Sequence, residues 1–348
     1  MSKKQLYPLK FKSIPKERVW GGNRFGTAIG ESWVISGFEE ESSDISNGYL
    51  EGNALYDIIE TYMGEIVGDE TYKYFGNEFP LLIKILDIKD KLSVQVHPDD
   101  ETAYDRHNSY GKSEAWYILD AEEDSVIYMG FNRDMDPNEF YQRCKEGKVE
   151  ECLNCFHPKK GDFFYIEPGT VHSAGKGLVI AEIAQICDVT YRLYDWGREN
   201  NPKTARQMHH ELAFDCINYT RFDTDANYIP ATHRHEQHIL TENPYFKVTS
   251  LDLSDPLHIY TEKYESFILY CCVKGGAQIG EGGCTISEGE WVMIPAGYSD
   301  FILSATQKET TLLEVYIVKQ EEKDSYVAEE EHHHHEEGCN CGCHDHKH

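Results

Sequence analysis

The sequence predicts a mainly β protein built from two jelly-roll barrels, with a few short helices inserted. Short apolar segments of strand length alternate with turns that contain glycine and proline. Segment 161–169 recurs as segment 289–297, each time as a glycine, an apolar run and a proline-containing turn. Upstream, segment 114–119 resembles segment 265–270. Two copies of one β unit explain this spacing.

The composition describes a large acidic chain without the signals of secretion or membrane insertion. Its 348 residues are enough for two domains with full cores, and its formal net charge is −28. A charge of this sign argues against non-specific nucleic-acid binding through a basic face. The N-terminus has no apolar segment typical of a signal peptide, and no apolar run approaches the roughly 20 residues of a membrane span. We therefore expect a cytoplasmic protein with reduced cysteines.

The first 90 residues combine strand-like segments with one predicted helix. Over 53–67, apolar residues recur at helical spacing, which predicts an amphipathic helix. The run 79–87 is strand-like but contains Lys84, a charge that marks either a strand end or a cation pointing into a pocket. Trp20 precedes two glycines and either covers a pocket or packs in the core.

The middle of the chain contains two further predicted helices and a charged pair. Segment 136–139 reads as a capped helix start, with Asp, Pro and Glu in the favoured positions, and Gly147 is a plausible stop. A connecting helix is predicted over 204–218. Asp188 and Arg192 lie four residues apart, and on a strand they would share a face.

A mixed set of nitrogen and oxygen ligands lies between residues 94 and 114. Gln95 and His97 are two residues apart, so both side chains leave the same face of a strand. Glu114 opens the next apolar run, with Lys112 beside it. An amide, an imidazole and a carboxylate suit a divalent ion such as zinc, although a Gln-x-His pair alone is more often structural.

The two β copies differ where this chemistry would lie. His172 stands three residues after Gly169, whereas Asp300 stands three residues after Gly297. The second copy also lacks a Gln-x-His pair before Glu265. One copy keeps candidate metal ligands that the other lacks, and this asymmetry favours a metal site over a structural role.

Taken together, the motifs resemble the type I mannose-6-phosphate isomerases (phosphomannose isomerases), in their short bacterial form. The likeness runs over nearly the whole chain, to about residue 318. It is carried by separate motifs in the right order, which are Trp20-Gly21-Gly22, Glu31-Ser32-Trp33, Phe79 to Lys84, Gln95-Val96-His97-Pro98, Gly111-Lys112-Ser113-Glu114, Pro168 to His172, Asp188, Thr190-Tyr191-Arg192 and Tyr194-Asp195. The resemblance implies two cupin barrels and the interconversion of mannose 6-phosphate and fructose 6-phosphate.

The resemblance also implies a set of functional residues. It implies one Zn2+ per chain, held by Gln95, His97, Glu114 and His172. It implies a phosphorylated hexose as substrate and an active site with Arg192, Lys112 and Asp188. The predicted substrate contacts are Trp20, Lys84, Lys112 and Arg192.

The residue types constrain the roles. Isomerisation through a cis-enediol needs a base that moves a proton between adjacent carbons and a group that stabilises oxyanion charge. The pKa of an arginine is too high for a base, so Arg192 is expected to hold enediolate or phosphate oxygens, oriented by Asp188. Lys112 either shuttles protons with a depressed pKa or contacts the phosphate, and the residue types leave both roles open.

We expect three segments along the chain. They are a catalytic, metal-binding cupin domain with helical insertions (1–230), a second cupin domain without metal ligands (231–320) and an acidic disordered tail (321–348). The turn-rich stretch 219–235 marks the boundary between the first two. The tail is rich in histidine and cysteine, which favours weak binding of additional metal ions over a purely solubilising role.

Two other functions compete with isomerisation. An iron-dependent dioxygenase would share the metal site but needs redox chemistry, for which the charged Lys112, Arg192 and Asp188 are less suited. A non-catalytic sugar-binding or regulatory cupin would bind ligand without turnover.

Overall fold

The chain forms four antiparallel sheets, two from each half, in a computed structural model that describes residues 4–231 and 237–318. The mainly β prediction is confirmed. Within these ranges, no helix is long and apolar enough to cross a lipid bilayer. The predicted metal binding by the tail concerns residues outside the described ranges and stays a prediction.

The first half supplies a seven-stranded and a five-stranded sheet. Its strands are β1 (Ile14–Gly22), β2 (Ile29–Ile35), β3 (Leu81–Ile88), β4 (Val94–Val96), β5 (Glu114–Ala121), β6 (Ile127–Phe131), β7 (Leu153–Phe156), β8 (Phe163–Ile166), β9 (His172–Ala174), β10 (Leu178–Gln185), β11 (Tyr191–Tyr194) and β12 (Tyr228–Ile229). The large sheet has the order β1-β2-β3-β10-β5-β8-β12, and the small sheet has the order β11-β4-β9-β6-β7.

The second half supplies a five-stranded and a four-stranded sheet. Its strands are β13 (Gln237–Glu242), β14 (Lys247–Asp252), β15 (Leu257–Ile259), β16 (Ile268–Lys274), β17 (Gly276–Ile279), β18 (Cys284–Ser287), β19 (Trp291–Ile294), β20 (Phe301–Ala305) and β21 (Thr311–Tyr316). The sheet orders are β13-β14-β21-β16-β19 and β15-β20-β17-β18.

The strand order repeats between the halves. The first unit comprises β3 to β10 and the second comprises β14 to β21. When the strands of each unit are numbered from 1 to 8, the large sheet reads 1-8-3-6 and the small sheet reads 2-7-4-5 in both units. This is the strand order of a jelly roll, so the predicted repeat of one β unit is confirmed. Closure of each unit into a barrel stays a prediction.

The register of the repeat differs from the sequence alignment. Glu114 pairs with Ile166 on β8, whose counterpart Ile294 on β19 pairs with Ile268. The counterpart of Glu114 is therefore Ile268, not Glu265, which precedes β16 with a backbone φ of 52°. The alignment was wrong by three residues because short apolar runs of similar composition do not define register.

The α-helices of the described chain are short and lie in the first half. They are α1 (Leu55–Tyr62), α2 (Gly64–Val67), α3 (Asp69–Phe75), α4 (Asp100–His107), α5 (Pro137–Glu146), α6 (His210–Cys216) and α7 (Thr224–Asn227), with 3-10 turns at Gly48–Leu50, Val149–Cys152, Arg198–Asn200 and Thr261–Lys263.

Local signals predicted these helices with mixed success. Helix α5 is confirmed, because the Asp136 carboxylate accepts hydrogen bonds from two backbone N–H groups of the first turn and Gly147 ends the helix with φ of 68°. The predicted helix over 53–67 is wrong in extent, since Met63 breaks it with φ of 51° and ψ of −129°. Helix α6 is shorter than predicted. Helix α4 was missed, although Asp99 caps it.

The two halves share a hydrophobic core. One cluster combines buried side chains from both large sheets and from α1 and α2. The rings of Phe79 and Phe267 pack across it with centroids 4.5 Å apart. Leu9 exchanges backbone hydrogen bonds of 2.8 and 2.9 Å with Met293. The predicted boundary after residue 230 falls between β12 and β13, and the division into domains stays a prediction.

Candidate metal centre and active site

His97, Glu114 and His172 meet inside the first unit. Strand β4 leads into His97, β5 begins at Glu114 and β9 begins at His172. Their ligand atoms lie within 4.8 Å of one another, and all three side chains are buried. Nε2 of each histidine lies 3.4 Å from a different carboxylate oxygen of Glu114. Over the described ranges, this is the only such group of histidine, cysteine or acidic side chains.

Both imidazoles present the same nitrogen to the cluster. Nδ1 of His97 lies 2.9 Å from the carbonyl oxygen of Val189, and Nδ1 of His172 lies 2.9 Å from that of Thr170. A carbonyl only accepts, so each Nδ1 carries the proton and each Nε2 keeps a free lone pair. Burial, together with nearby Lys112, lowers the pKa of His97 to about 4. Both features suit a metal ligand.

The buried polar atoms fit a divalent cation. Nε2 of His97 and both carboxylate oxygens of Glu114 are buried without a well-directed hydrogen bond, although Nζ of Lys112 forms an ion pair of 3.0 Å with one of the oxygens. Leaving such atoms unsatisfied is costly, whereas a cation among them satisfies all three at once. The donor set of two imidazole nitrogens and one carboxylate is typical of catalytic zinc sites.

Gln95 lies beside this cluster. It pairs with His172 between β4 and β9, and its side-chain Nε2 lies 3.3 Å from Nε2 of His172. Its carbonyl oxygen accepts a hydrogen bond of 3.1 Å from the Ser93 hydroxyl. The side chain therefore reaches the site, but a half-turn of the amide is required before its oxygen faces the ligands. Its role as fourth ligand stays a prediction.

A chain of alternating charges adjoins the metal ligands. Nζ of Lys112 lies 3.0 Å from Glu114 and 3.3 Å from Glu182, and Nζ of Lys84 lies 3.3 Å from the same Glu182 oxygen. Lys84 also pairs with Asp188 at 3.1 Å and with Glu31 at 3.7 Å. Lys84 therefore points into the site, and it is a buried group rather than a strand end.

Glu182 and Glu31 are site residues that the sequence reasoning missed. Glu182 lies in the apolar strand β10, where it pairs with Lys84 on β3. A charge inside an apolar run was the signal that singled out Lys84, and the same signal applies to Glu182. Glu31 accepts hydrogen bonds from Arg18 and from the Trp33 indole.

The pKa of Lys112 bears on the choice between its two possible roles. Burial acts to lower the pKa of Lys112, but Glu114 and Glu182 outweigh it and hold the pKa above its ordinary value. Of the two roles that the residue types leave open, these neighbours disfavour the one that needs a depressed pKa. A divalent ion on Glu114 would act in the opposite direction.

Arg192 is the cation with the least compensation. On β11 it pairs with Gln95, while its side chain donates to the Ser93 hydroxyl at 3.2 Å and to the Gln207 carbonyl at 2.7 Å. In the described part of the chain, no carboxylate lies within ion-pair distance of it. Burial and neighbouring Arg206 lower the pKa of Arg192 to about 10.

Asp188 does not orient Arg192 as predicted. It lies in the loop between β10 and β11 rather than on a strand, so the shared face expected from spacing is not formed. Its half-exposed carboxylate bonds Lys84 instead. Trp20 is buried in a cluster with Leu86 and Ile88 inside the first unit, and its predicted contact with substrate stays a prediction.

Comparisons with known proteins identify the family. Residues 23–128 match a model of the type I phosphomannose isomerase catalytic domain. Over 318 residues the chain is 34% identical to mannose-6-phosphate isomerase ManA of Bacillus subtilis, a match that covers 85% of this chain and 95% of that protein. The chain belongs to the type I phosphomannose isomerase family. The mannose-6-phosphate isomerase of Streptococcus mutans is 32% identical over 83% of this chain and 92% of its own.

Solved structures of phosphomannose isomerases have the same fold. The crystal structure of mannose 6-phosphate isomerase from Bacillus subtilis matches with a TM-score of 0.74 and 26% identity, over 90% of this chain and 100% of that one. A phosphomannose isomerase variant from Salmonella typhimurium matches with a TM-score of 0.71 at 15% identity, which concerns the fold alone. The family predicted from the sequence motifs is thus confirmed.

Proposed function

We propose that the chain catalyses the reversible isomerisation of mannose 6-phosphate to fructose 6-phosphate through a cis-enediol. The observation that carries this proposal is the buried His97, Glu114 and His172 cluster, accompanied by lysines, a further carboxylate and an arginine without an ion pair in the described residues. The relatives' names, mannose-6-phosphate isomerase, support the same reaction.

We propose Zn2+ as the ion held by His97, Glu114 and His172, with Gln95 as the fourth protein ligand. When bound, a divalent ion without redox chemistry supplies Lewis-acid stabilisation of negative charge on sugar oxygens. Two imidazole nitrogens with a carboxylate favour zinc among the common ions, and manganese and iron accept the same donors.

The residues around the ligands divide the work of proton transfer. A base takes the proton from C2 of the aldose and returns it to C1, while hydroxyl protons rearrange between O1 and O2, so that no atom is gained or lost. Glu182 can accept that proton as a carboxylate. Lys112, held in its protonated form by the two carboxylates beside it, can donate to the enediol oxygens. With a divalent ion on Glu114, the pKa of Lys112 would be lower, and a neutral Lys112 would then be the group that takes the proton.

Arg192 is suited to bind an anion. Its pKa of about 10 keeps it charged at neutral pH, and within the described residues it forms no ion pair, since Asp195 acts on it only from beyond ion-pair distance. A guanidinium in this state has a strong preference for phosphate or enediolate oxygens.

The predicted cytoplasmic location of the protein stays a prediction.

A coupled assay tests the proposed function. Purified full-length protein should convert mannose 6-phosphate to fructose 6-phosphate equally well in air and under anaerobic conditions. A requirement for oxygen would favour the dioxygenase alternative. Saturable binding of the hexose phosphate without turnover would favour the sugar-binding alternative.

A further inference from the structure

A second cavity opens in the second unit, away from the metal ligands. It has a volume of about 460 Å3 and lies along β13, β14 and β21. Its walls combine a buried carboxylate, two lysines and tyrosine rings. The side chains used below are Ile239, Lys247, Thr249, Lys263, Tyr264 and Glu314. Cavities of this size are typical of sites for small molecules.

This cavity occupies the position that the charged cluster takes in the first unit. The register that relates the two units makes Glu314 on β21 the counterpart of Glu182 on β10. On the neighbouring strands, Thr249 pairs with Glu314 just as Lys84 pairs with Glu182. The carboxylate is thus present in both units, while the lysine opposite it is replaced by a neutral hydroxyl group.

Glu314 offers one oxygen to the cavity. Only 4% of the residue is exposed, and the hydroxyls of Tyr264 and Tyr270 donate to its Oε2 at 3.0 and 2.8 Å. Oε1 receives no hydrogen bond from the residues that the structure describes. A carboxylate oxygen in a cavity wall can accept further hydrogen bonds. A ligand hydroxyl is a donor of the right kind.

The charges around the cavity select against ions. Lys247 is already paired with Glu242 at 2.7 Å, and Lys263 lies over the ring of Tyr260. A metal cation would be repelled by these two ammonium groups. A phosphate would be repelled by the Glu314 carboxylate and would meet lysines that already have partners. A neutral molecule with several hydroxyls can donate to Glu314 and accept from the lysines and Thr249.

We propose that the second unit binds a small neutral polyhydroxylated molecule, a monosaccharide or a sugar alcohol, in this cavity. Glu314 accepts hydrogen bonds from its hydroxyls through Oε1. The isomerase reaction does not require this site, and the inference holds whether or not the first unit turns over hexose phosphates.

The test uses D-mannitol, which cannot be isomerised, as the probe in ligand-observed NMR titrations of the full-length, metal-loaded protein. Glu314→Gln should weaken mannitol binding at least about tenfold while leaving the thermal unfolding midpoint close to wild type. Ile239→Trp should block the cavity without removing a polar group. Ile302 on β20 is similarly exposed but lies outside the cavity lining, so Ile302→Trp should leave binding unchanged.

Two further arms separate this site from the active site. Arg192→Ala should retain mannitol binding, and D-mannitol 1-phosphate should bind more weakly than mannitol at this cavity. The proposal is overturned if binding survives both Glu314→Gln and Ile239→Trp, or is lost in Arg192→Ala. Tighter binding of the phosphate ester at the cavity, or the absence of saturable mannitol binding below about 10 mM, would also overturn it.

Discussion

At the residue scale, Arg192 differs from the lysines of the site in its neighbours. Lys84 and Lys112 are each held by two or more carboxylates, whereas Arg192 is held by a hydroxyl and a carbonyl. Neutral acceptors fix the guanidinium without neutralising its charge. An anionic substrate or intermediate is therefore its strongest available partner.

We predict that Arg192→Ala lowers kcat/KM for mannose 6-phosphate by about 10³-fold, because a charge aimed at the developing oxyanion is lost. Bound zinc, measured by elemental analysis, should stay near wild type. Arg24→Ala, which removes a half-exposed arginine between β1 and β2, should leave both values unchanged. Loss of metal in the Arg192 variant would instead indicate that the residue supports the ligands.

Glu31 provides a pH-dependent prediction. Burial acts to raise its pKa, but Lys84 and Arg18 hold the pKa at about 2, below the ordinary value of 4.5. A carboxyl with a depressed pKa in the folded state stabilises the protein above its unfolded pKa. This stabilisation is lost as the pH falls from about 4.5 towards about 2.

We therefore predict that the free energy of unfolding of Glu31→Gln depends less on pH between about 5 and 3 than that of wild type. The variant should also be less stable by a few kcal/mol at pH 7, because buried Lys84 loses one of its three carboxylate partners and partly buried Arg18 loses its ion pair. Urea unfolding at several pH values measures both effects. A wild-type slope in the variant would show that other carboxyls cause the acid instability.

At the element scale, strand pairing assembles the site. The small sheet brings Gln95 and His172 together through β4 and β9, and the large sheet brings Glu182 and Lys84 together through β10 and β3. Glu114, at the start of β5, contacts His172 directly and is linked to Glu182 through Lys112. In the described chain, none of the proposed metal ligands lies in a helix. Changes in the helices should therefore affect the ligands less directly than changes in the strands.

The backbone at Met63, between α1 and α2, is strained, and this strain gives a prediction about stability. Met63 is half-exposed and has a backbone conformation that glycine adopts without strain and other residues avoid. Met63→Gly should raise the free energy of unfolding by up to about 1 kcal/mol, as measured by urea denaturation. Met63→Ala keeps the strained backbone and should not. Equal effects of the two substitutions would show that the strain is unimportant.

At the scale of the whole molecule, the shared core makes the two halves one structural system. Side chains of both large sheets belong to a single buried cluster, and Phe79 from the first half packs against Phe267 from the second. Burial of this kind normally couples the unfolding of the parts it joins.

We predict that Phe267→Ala lowers the free energy of unfolding by about 3–5 kcal/mol, the usual cost of a large cavity in a core. Because the cluster spans both halves, calorimetry should still show one transition, shifted to lower temperature. Two separate transitions, with only the later one shifted, would show that the halves unfold independently.

The sequence predicted what depends on local pattern and missed what depends on register. The cap at Asp136 and the motifs around His97 and His172 each depend on a few adjacent residues. The pairing of Glu182 with Lys84 joins residues nearly one hundred positions apart, and no local pattern encodes it. The same limit explains why sequence spacing alone pairs Asp188 with Arg192 and matches Glu114 to Glu265.

The central claim is that isomerisation depends on a divalent ion held by His97, Glu114 and His172. The most direct measurement is mannose 6-phosphate turnover during stepwise return of zinc to chelator-treated protein. We predict that activity rises with the metal bound and saturates at about one ion per chain beyond any zinc that the tail takes up, and that His172→Ala binds about one ion fewer than wild type and does not regain activity. Full activity in the chelated protein, or in His172→Ala, would contradict the account.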